Sequence, residues 1–249
     1  APPSRRRIPS TATTPTAPLS SLDLPTLSSR QVAEVDRLAQ ERFGISVEWL
    51  MEAAGWQVAR FCRGRTAVVC GVGNNAGDGL AAARHLHRWG RLSAVSCVDA
   101  GRLRGAAGLE RDALDKLGVV VSDELSLDGA EIVVDALFGT GLSRAPEGKF
   151  AAWIEAINMS GSQVIAIDVP SGLDADTGVA YAPCVRANTT VTLGLAKPGL
   201  LKGKGGALAG DIWVADIGVP FEAYAAIGVD VPRDLFAKSD RFQLVGSKS

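Results

Sequence analysis

Histidine is nearly missing from this chain of 249 residues, which carries only His85 and His87. That shortage nearly excludes His-based metal hydrolysis. The two lie two apart on one helical stretch, so they face different directions, and surface or rim positions are expected for them. Four cysteines (Cys62, Cys70, Cys97, Cys184) are widely spaced with no C-x-x-C pair. Neither a zinc knuckle nor a disulfide scaffold fits, and a reducing compartment suits the chain best. No apolar run approaches the ~18 residues of a membrane span. An excess of positive charge is also lacking: 26 Lys+Arg stand against 27 Asp+Glu, a formal charge of −1. That argues against a strongly basic nucleic-acid-binding domain. Trp49, Trp56, Trp89, Trp153 and Trp213 are scattered, and no stacking platform for RNA is evident. Neither membrane nor nucleic acid is an expected partner.

What is present is ordinary for a soluble globular protein that buries a core: 47% hydrophobic and 21% charged residues. Residues 1–22 stand apart. They hold Arg5, Arg6 and Arg7, no acid, and Pro2, Pro3, Pro9, Pro15 and Pro18 in a Ser/Thr background. Such a stretch buries too little to order itself and reads as a disordered tail. Its composition equally matches the remnant of a transit peptide, which would place the protein in a mitochondrion or chloroplast, the cytoplasm being the alternative. Without those arginines the rest of the chain is mildly acidic, at −4.

From Ser28 the pattern turns helical through Val32, Val35, Leu38 and Ala39. A second helix capped by Ser46 runs through Leu50, Ala53, Ala54, Val58 and Phe61. Short apolar runs follow at 67–71, 94–98, 132–136, 164–168 and 190–193, with helical stretches at 80–89, 107–117 and 150–159 between them. Val- and Ile-rich strands alternating with helices argue for an α/β fold with a mostly parallel central sheet covered on both faces. One folded domain over 23–240 is expected, ending in a polar C-terminal tail at 241–249.

In such sheets ligands bind beyond the carboxyl ends of the strands, so the residues just after each apolar run carry the information. The first run ends in Gly71-Val72-Gly73-Asn74-Asn75-Ala76-Gly77-Asp78-Gly79, with a helix opening at Leu80. Gly71, Gly73 and Ala76 match the dinucleotide fingerprint, although any tight strand-to-helix turn also uses glycines. Asn74, Asn75 and Asp78 are harder to assign to packing. They suit a polyhydroxylated ligand or an oxygen-ligated cation. A later run ends in Asp135-Ala136-Leu137-Phe138-Gly139-Thr140-Gly141-Leu142-Ser143-Arg144, whose glycines can present N–H groups to an anion. The next ends in Asp168-Val169-Pro170-Ser171-Gly172, with Asp168 where a catalytic carboxylate is expected.

The blocks 73–79, 135–141, 168–172 and Lys197-Pro198-Gly199 together resemble the NAD(P)H-hydrate epimerase family, the YjeF N-terminal domain type. Their order agrees as well, and residues 44–55 are similar to that family's N-terminal helical segment. The resemblance covers about residues 27–220. Ala76 departs from it, because the family usually has Gly there; a positive φ at that position would be strained by a Cβ. The resemblance implies a Rossmann-like three-layer sandwich, often dimeric, that interconverts the R and S epimers of hydrated NADH and NADPH. A separate ADP- or ATP-dependent dehydratase would then remove the S form. By motif, Asn74, Asn75, Ala76, Gly77 and Asp78 would hold the nucleotide, together with Gly139, Thr140, Gly141, Leu142, Ser143, Arg144 and Ala145. Asn75, Asp135 and Ser171 would bind K⁺, and Asp168 would bind substrate and perform the acid–base step. The three proposed ion ligands offer amide, carboxylate and hydroxyl oxygens, which suit a hard cation.

Two alternatives come from other classes. A non-catalytic scaffold on the same fold has no use for Asn75, Asp135 and Asp168 together. A nicotinamide-dependent oxidoreductase, prompted by the Gly-rich turn and by Asp99 after the second strand, leaves Asn74-Asn75 unexplained.

Overall fold

The structure, a computed structural model, describes residues 24–244. The tail or transit reading of 1–22 lies outside the described residues. Two helices come first. In α1 (Ser29–Glu41), Ser28 and Gln31 cap the start reciprocally, satisfying N–H groups that the first turn leaves open. In α2 (Val47–Ala59), the Ser46 hydroxyl accepts from the Trp49 N–H. This helix stops before Phe61, two residues short of its expected end.

The sheet is built from β1 (Thr66–Cys70), β2 (Leu92–Cys97), β3 (Val121–Ser122), β4 (Ile132–Ala136), β5 (Gln163–Ile167), β6 (Thr189–Leu193), β7 (Asp211–Ala215) and β8 (Arg241–Leu244). Their spatial order is β3-β2-β1-β4-β5-β6-β7-β8. All neighbours are parallel except β7 and β8. The order reverses between β1 and β4, and the crevice above that reversal is where an open α/β sheet takes its ligand. Helices α3 (Asn74–Arg88), α4 (Gly105–Lys116), α5 (Gly148–Met159), α6 (Gly205–Ala209) and α7 (Phe221–Ala226) complete the chain.

Period-two alternation explains the layering. Val68, Cys70, Val134, Ala136, Ile165 and Ile167 face one core with α2, α3 and α4. Val69, Val133, Val164 and Ala166 face the other, against Trp153, Ile154 and Ile157 of α5. Both faces are apolar, so the central strands β1, β4 and β5 read as near-continuous hydrophobic runs. The three-layer arrangement expected from the sequence is the one observed.

Three expectations are corrected. Residues 241–249 are not wholly a polar tail: Arg241–Leu244 forms β8, with Leu244 buried. Its Phe242 packs with β7 residues, so the strand closes an edge that would otherwise offer unpaired backbone groups. Helix α3 opens at Asn74, six residues before Leu80; Asn75, Ala76 and Gly77 are therefore helical, and the Cβ of Ala76 meets no positive φ. Finally, His85 is not at the surface or rim. It is buried between Trp56 and Trp89, whose rings lie 5.2 and 5.9 Å away, and burial lowers its pKa.

The crossing of α2 on α3 depends on Gly55. A Cβ there would lie 2.4 Å from the Ala81 Cβ and 2.7 Å from backbone atoms of Ala81 and Ala82. Backbone cannot move aside without separating the helices. Gly55→Ala is expected to destabilise the fold by about 1–3 kcal/mol through overpacking, although Ala is the better helix former. Urea unfolding measures the difference.

Candidate active site

The exits of β1 and β4 approach closely because Gly71 has no side chain: a Cβ there would lie 2.0 Å from the Leu137 carbonyl oxygen. Immediately after, Gly73 starts α3 without a side-chain cap. The N–H groups of Ala76 and Gly77 bond back to the Gly73 carbonyl, at 3.1 and 3.4 Å. Those of Asn74 and Asn75 precede any helical carbonyl in reach and stay available at the positive end of the helix. Gly139 lies against Asn75, whose Cβ and Oδ1 would both be 3.3 Å from a Cβ at that position.

Asp135 is fully buried at the end of β4. Its Oδ1 accepts from the Ser171 hydroxyl at 2.6 Å and the Leu137 N–H at 3.2 Å, and its Oδ2 accepts from the Ser171 N–H at 2.8 Å. The Ser171 hydroxyl in turn accepts from the Phe138 N–H at 2.9 Å. These bonds tie the exits of β4 and β5 into one unit. All the donors are neutral, and among the described residues Asp135 has no ion pair. Burial pushes its carboxyl up to about 6, opposed by those hydrogen bonds. An uncompensated carboxylate at this depth suits a cation. The Asn75 amide nitrogen is buried without a hydrogen-bond partner; as a donor it does not ligate a cation, and the amide oxygen is the atom that would. Amide, carboxylate and hydroxyl oxygens form the donor set of a hard cation, so Asn75, Asp135 and Ser171 fit the potassium ion that the resemblance implies.

Asp168 follows β5 with φ at +68°, the one non-glycine residue with positive φ among those described. Such a conformation costs of order 1–3 kcal/mol and persists only where the surroundings enforce it. Here they do. Asp168 Oδ1 accepts from Lys197 Nζ, from the Leu193 N–H at 3.1 Å and from the Thr192 hydroxyl at 3.2 Å. Lys197 is itself 1% exposed and also donates to the Leu193 carbonyl at 2.8 Å. All three of these donors converge on Oδ1, leaving Oδ2 without a hydrogen bond among the described residues.

Asp168 and Lys197 line a cavity of about 490 Å³ over the reversal of strand order. One wall is made of strand exits and the α3 N-terminus: Asn74, Asn75, Asp78, Gly139, Thr140, Gly141 and Leu142. The facing wall is helical, with Val35 and Asp36 from α1 and Leu50 and Met51 from α2. Three carboxyl groups thus surround one ammonium in a mostly apolar space. Burial pushes Asp36 up to about 6, opposed by Lys197 and assisted by Asp168. Asp78 is raised well above the usual carboxylate range, first by burial and then by Asp168 and Asp36, again against Lys197.

Of the residues singled out by sequence, Asp135 and Ser171 lie beneath the cavity wall, and Ala76 and Gly77 are buried inside α3. Ser143, Arg144 and Ala145 are exposed and do not line the cavity. Two groups escaped the sequence reading. Lys197 stood in a recognised block without a role; its signal is a lone cation in the apolar run 194–200. Asp36 falls one step from Val35 and four from Val32, an acid inside the apolar stripe of α1.

The pattern that describes the family "YjeF-related protein N-terminus" matches residues 47–199. A protein of Dehalogenimonas lykanthroporepellens named NAD(P)H-hydrate epimerase is 34% identical over 226 residues, covering 86% of this chain and 91% of its own. A bifunctional NAD(P)H-hydrate repair enzyme of Thermofilum pendens is 44% identical over 208 residues, which cover 76% of this chain but 39% of that enzyme. The chain therefore spans about two fifths of such bifunctional relatives. The crystal structure of yeast Ynu0 (YNL200c) covers 89% of this chain and 100% of its own, with a TM-score of 0.72 at 24% identity, a likeness of fold.

Replacing Lys197 by Met is expected to destabilise the protein by about 3–5 kcal/mol, because it leaves a buried carboxylate without its counter-charge. Adding Asp168→Asn to that variant should recover part of the loss. Asn accepts the left-handed backbone nearly as readily as Asp. Urea unfolding of the two single variants and the double variant measures the coupling.

Proposed function

The chain belongs to the NAD(P)H-hydrate epimerase family, and on that footing we propose that it interconverts the R and S forms of hydrated NADH and NADPH. The observation that carries this reading is Asp168, held in a strained backbone with one carboxyl oxygen bonded to Lys197 and the other open, on the wall of a cavity at the strand-order reversal.

The hydroxyl-bearing carbon of the hydrate adjoins the ring nitrogen, as in a hemiaminal. The proton shared by Lys197 and Asp168 passes from Asp168 to the hydroxyl oxygen. The C–O bond breaks, water leaves with the bonding pair, and the nitrogen lone pair forms the iminium. Water then adds to the opposite ring face and returns a proton to the Asp168 carboxylate. A positioned group of this kind contributes typically ~10²–10⁴-fold. No covalent nucleophile is needed, so Ser171 serves structure. The nucleotide's phosphates suit the free N–H groups of Asn74 and Asn75 and the Gly139–Gly141 turn. The mostly apolar walls around Val35, Leu50 and Met51 exclude bulk water from the ring. Asn75, Asp135 and Ser171 would hold K⁺, which supplies positive charge beside the phosphate cradle. The S form would pass to a dehydratase activity, as the bifunctional relatives' names indicate for those proteins. A homodimer is the proposed assembly.

Incubating the protein with the purified R hydrate, with and without an S-specific dehydratase, tests the activity. Complete conversion to NADH in the coupled reaction, faster than spontaneous epimerisation, is the expected result; a persistent R fraction would refute the reading. Asp168→Asn should lower kcat by ~10²–10⁴. It should also lower the melting temperature, because Lys197 loses its anionic partner.

The ion is tested separately by thermal melting in matched K⁺ and tetramethylammonium salts. Only K⁺ enters an oxygen-lined site, and ligand binding to the folded state raises Tm by mass action. Equal ionic strength cancels general screening. A higher Tm in K⁺ is expected, and identical melting in the two salts would remove the ion.

A further inference from the structure

We propose that Asp36 of α1 is a second proton-handling carboxyl of this site, acting from the helical wall while Asp168 acts from the strand exits. The proposal rests on the epimerase reading above and deepens it.

The construction of α1 is the first support. The Ser29 hydroxyl donates to the Thr140 carbonyl at 2.9 Å, fastening the start of the helix to the Gly139–Gly141 turn. The Ser29 N–H donates to Asp176 at 2.7 Å, and the Leu27 N–H to the Ala196 carbonyl at 2.9 Å, beside Lys197. A helix pinned at that end delivers residues one to two turns later to a fixed place, and Asp36 lies seven residues on. There it lines the cavity between Val35 and the apolar residues of α2.

The second support is what Asp36 lacks. Its carboxyl makes no hydrogen bond and no ion pair among the described residues, although it is partly buried. An acid in an apolar stripe with no partner costs stability and serves no packing purpose. The titratable groups that line the same cavity are Lys197, Asp168, Asp78 and Tyr224, from four different parts of the chain. Burial and Asp168 favour its protonated form, and Lys197 opposes them. Lys197 donates directly to Asp168. The two carboxyls are thus placed differently, Asp168 in a hydrogen-bonded ion pair and Asp36 without a partner among the described residues, a contrast that separates an acid from a base.

Such a pair gives each ring face its own carboxyl, where Asp168 alone would have to reach both, since hydroxyl departs from one face and water returns on the other. In one direction the Asp36 carboxyl protonates the departing hydroxyl oxygen, the C–O pair leaves with water, and the ring nitrogen supplies the pair for the iminium bond. Water adding on the Asp168 side gives its proton to the Asp168 carboxylate. The reverse direction exchanges the roles, and one proton passes between the two groups to reset the site. No oxidant, reductant or further reactant is required.

The test compares kcat, pH profile and Tm for the wild type, Asp36→Asn and Asp36→Ala, with purified R hydrate. Asp36→Asn is expected to lower kcat by ~10²–10⁴ without lowering Tm. The wild-type rate should fall as pH rises through a value near 6, where Asp36 loses its proton, and Asp36→Asn should lose that limb. Formate, a carboxyl small enough for the vacated space, should restore part of the Asp36→Ala rate. The proposal is overturned if Asp36→Asn keeps kcat within about threefold of wild type, if it changes KM alone, or if activity is lost only in step with folded protein and formate restores none. An inactive wild type would instead refute the epimerase reading itself, so the two failures are distinguishable.

Discussion

The buried pair of Lys197 and Asp168 is the interaction on which the site depends. Removing two charges from water is costly, and their attraction repays that only when further hydrogen bonds satisfy what remains. Thr192 and Leu193, at the end of β6, provide those bonds and bring a third segment to the same oxygen. The pair therefore fixes the relative positions of β5, β6 and the segment carrying Lys197. It also holds Asp168 in a backbone conformation that an isolated chain avoids. Energy is committed to geometry here, and the geometry is an open carboxyl oxygen on the wall of a largely apolar cavity.

A second constraint runs beneath that wall. Asp135 and Ser171 lock the exits of β4 and β5 together through a carboxylate surrounded only by neutral donors. The same exits carry the Gly139–Gly141 turn against Asn75 at the start of α3. The parallel sheet explains why these groups meet: β1, β4 and β5 are neighbours, so their exits open at one end. Helix α1 then closes the cavity from outside, fastened through Ser29 to the turn it covers.

Much of this was legible in the residues. Alternating Val- and Ile-rich runs announced the parallel sheet because both of its faces are covered. The blocks after each run announced the site because strand exits are where such sheets bind. The start of α3 was misplaced for a physical reason: Asn-Asn-Ala-Gly-Asp-Gly has turn-like propensity, yet packing of Ala76 and Gly77 against neighbouring helices makes it helical. Strand β8 was missed because Arg241-Phe242-Gln243-Leu244 is short, and its alternation has meaning only once β7 is present to receive it. His85 was misread because its burial depends on Trp56, distant in sequence. Lys197 and Asp36 were visible as charges within apolar patterns, but their common destination is a tertiary fact.

The central claim is that the open oxygen of Asp168 faces the reacting carbon. A high-resolution crystal structure of the protein with hydrated NADH bound tests it most directly. The account predicts the hydrated ring inside the cavity, its hydroxyl-bearing carbon facing Asp168 Oδ2, while Oδ1 keeps Lys197. A ring outside the cavity, or a hydroxyl-bearing carbon turned away from Asp168 Oδ2 in both epimers, would contradict it.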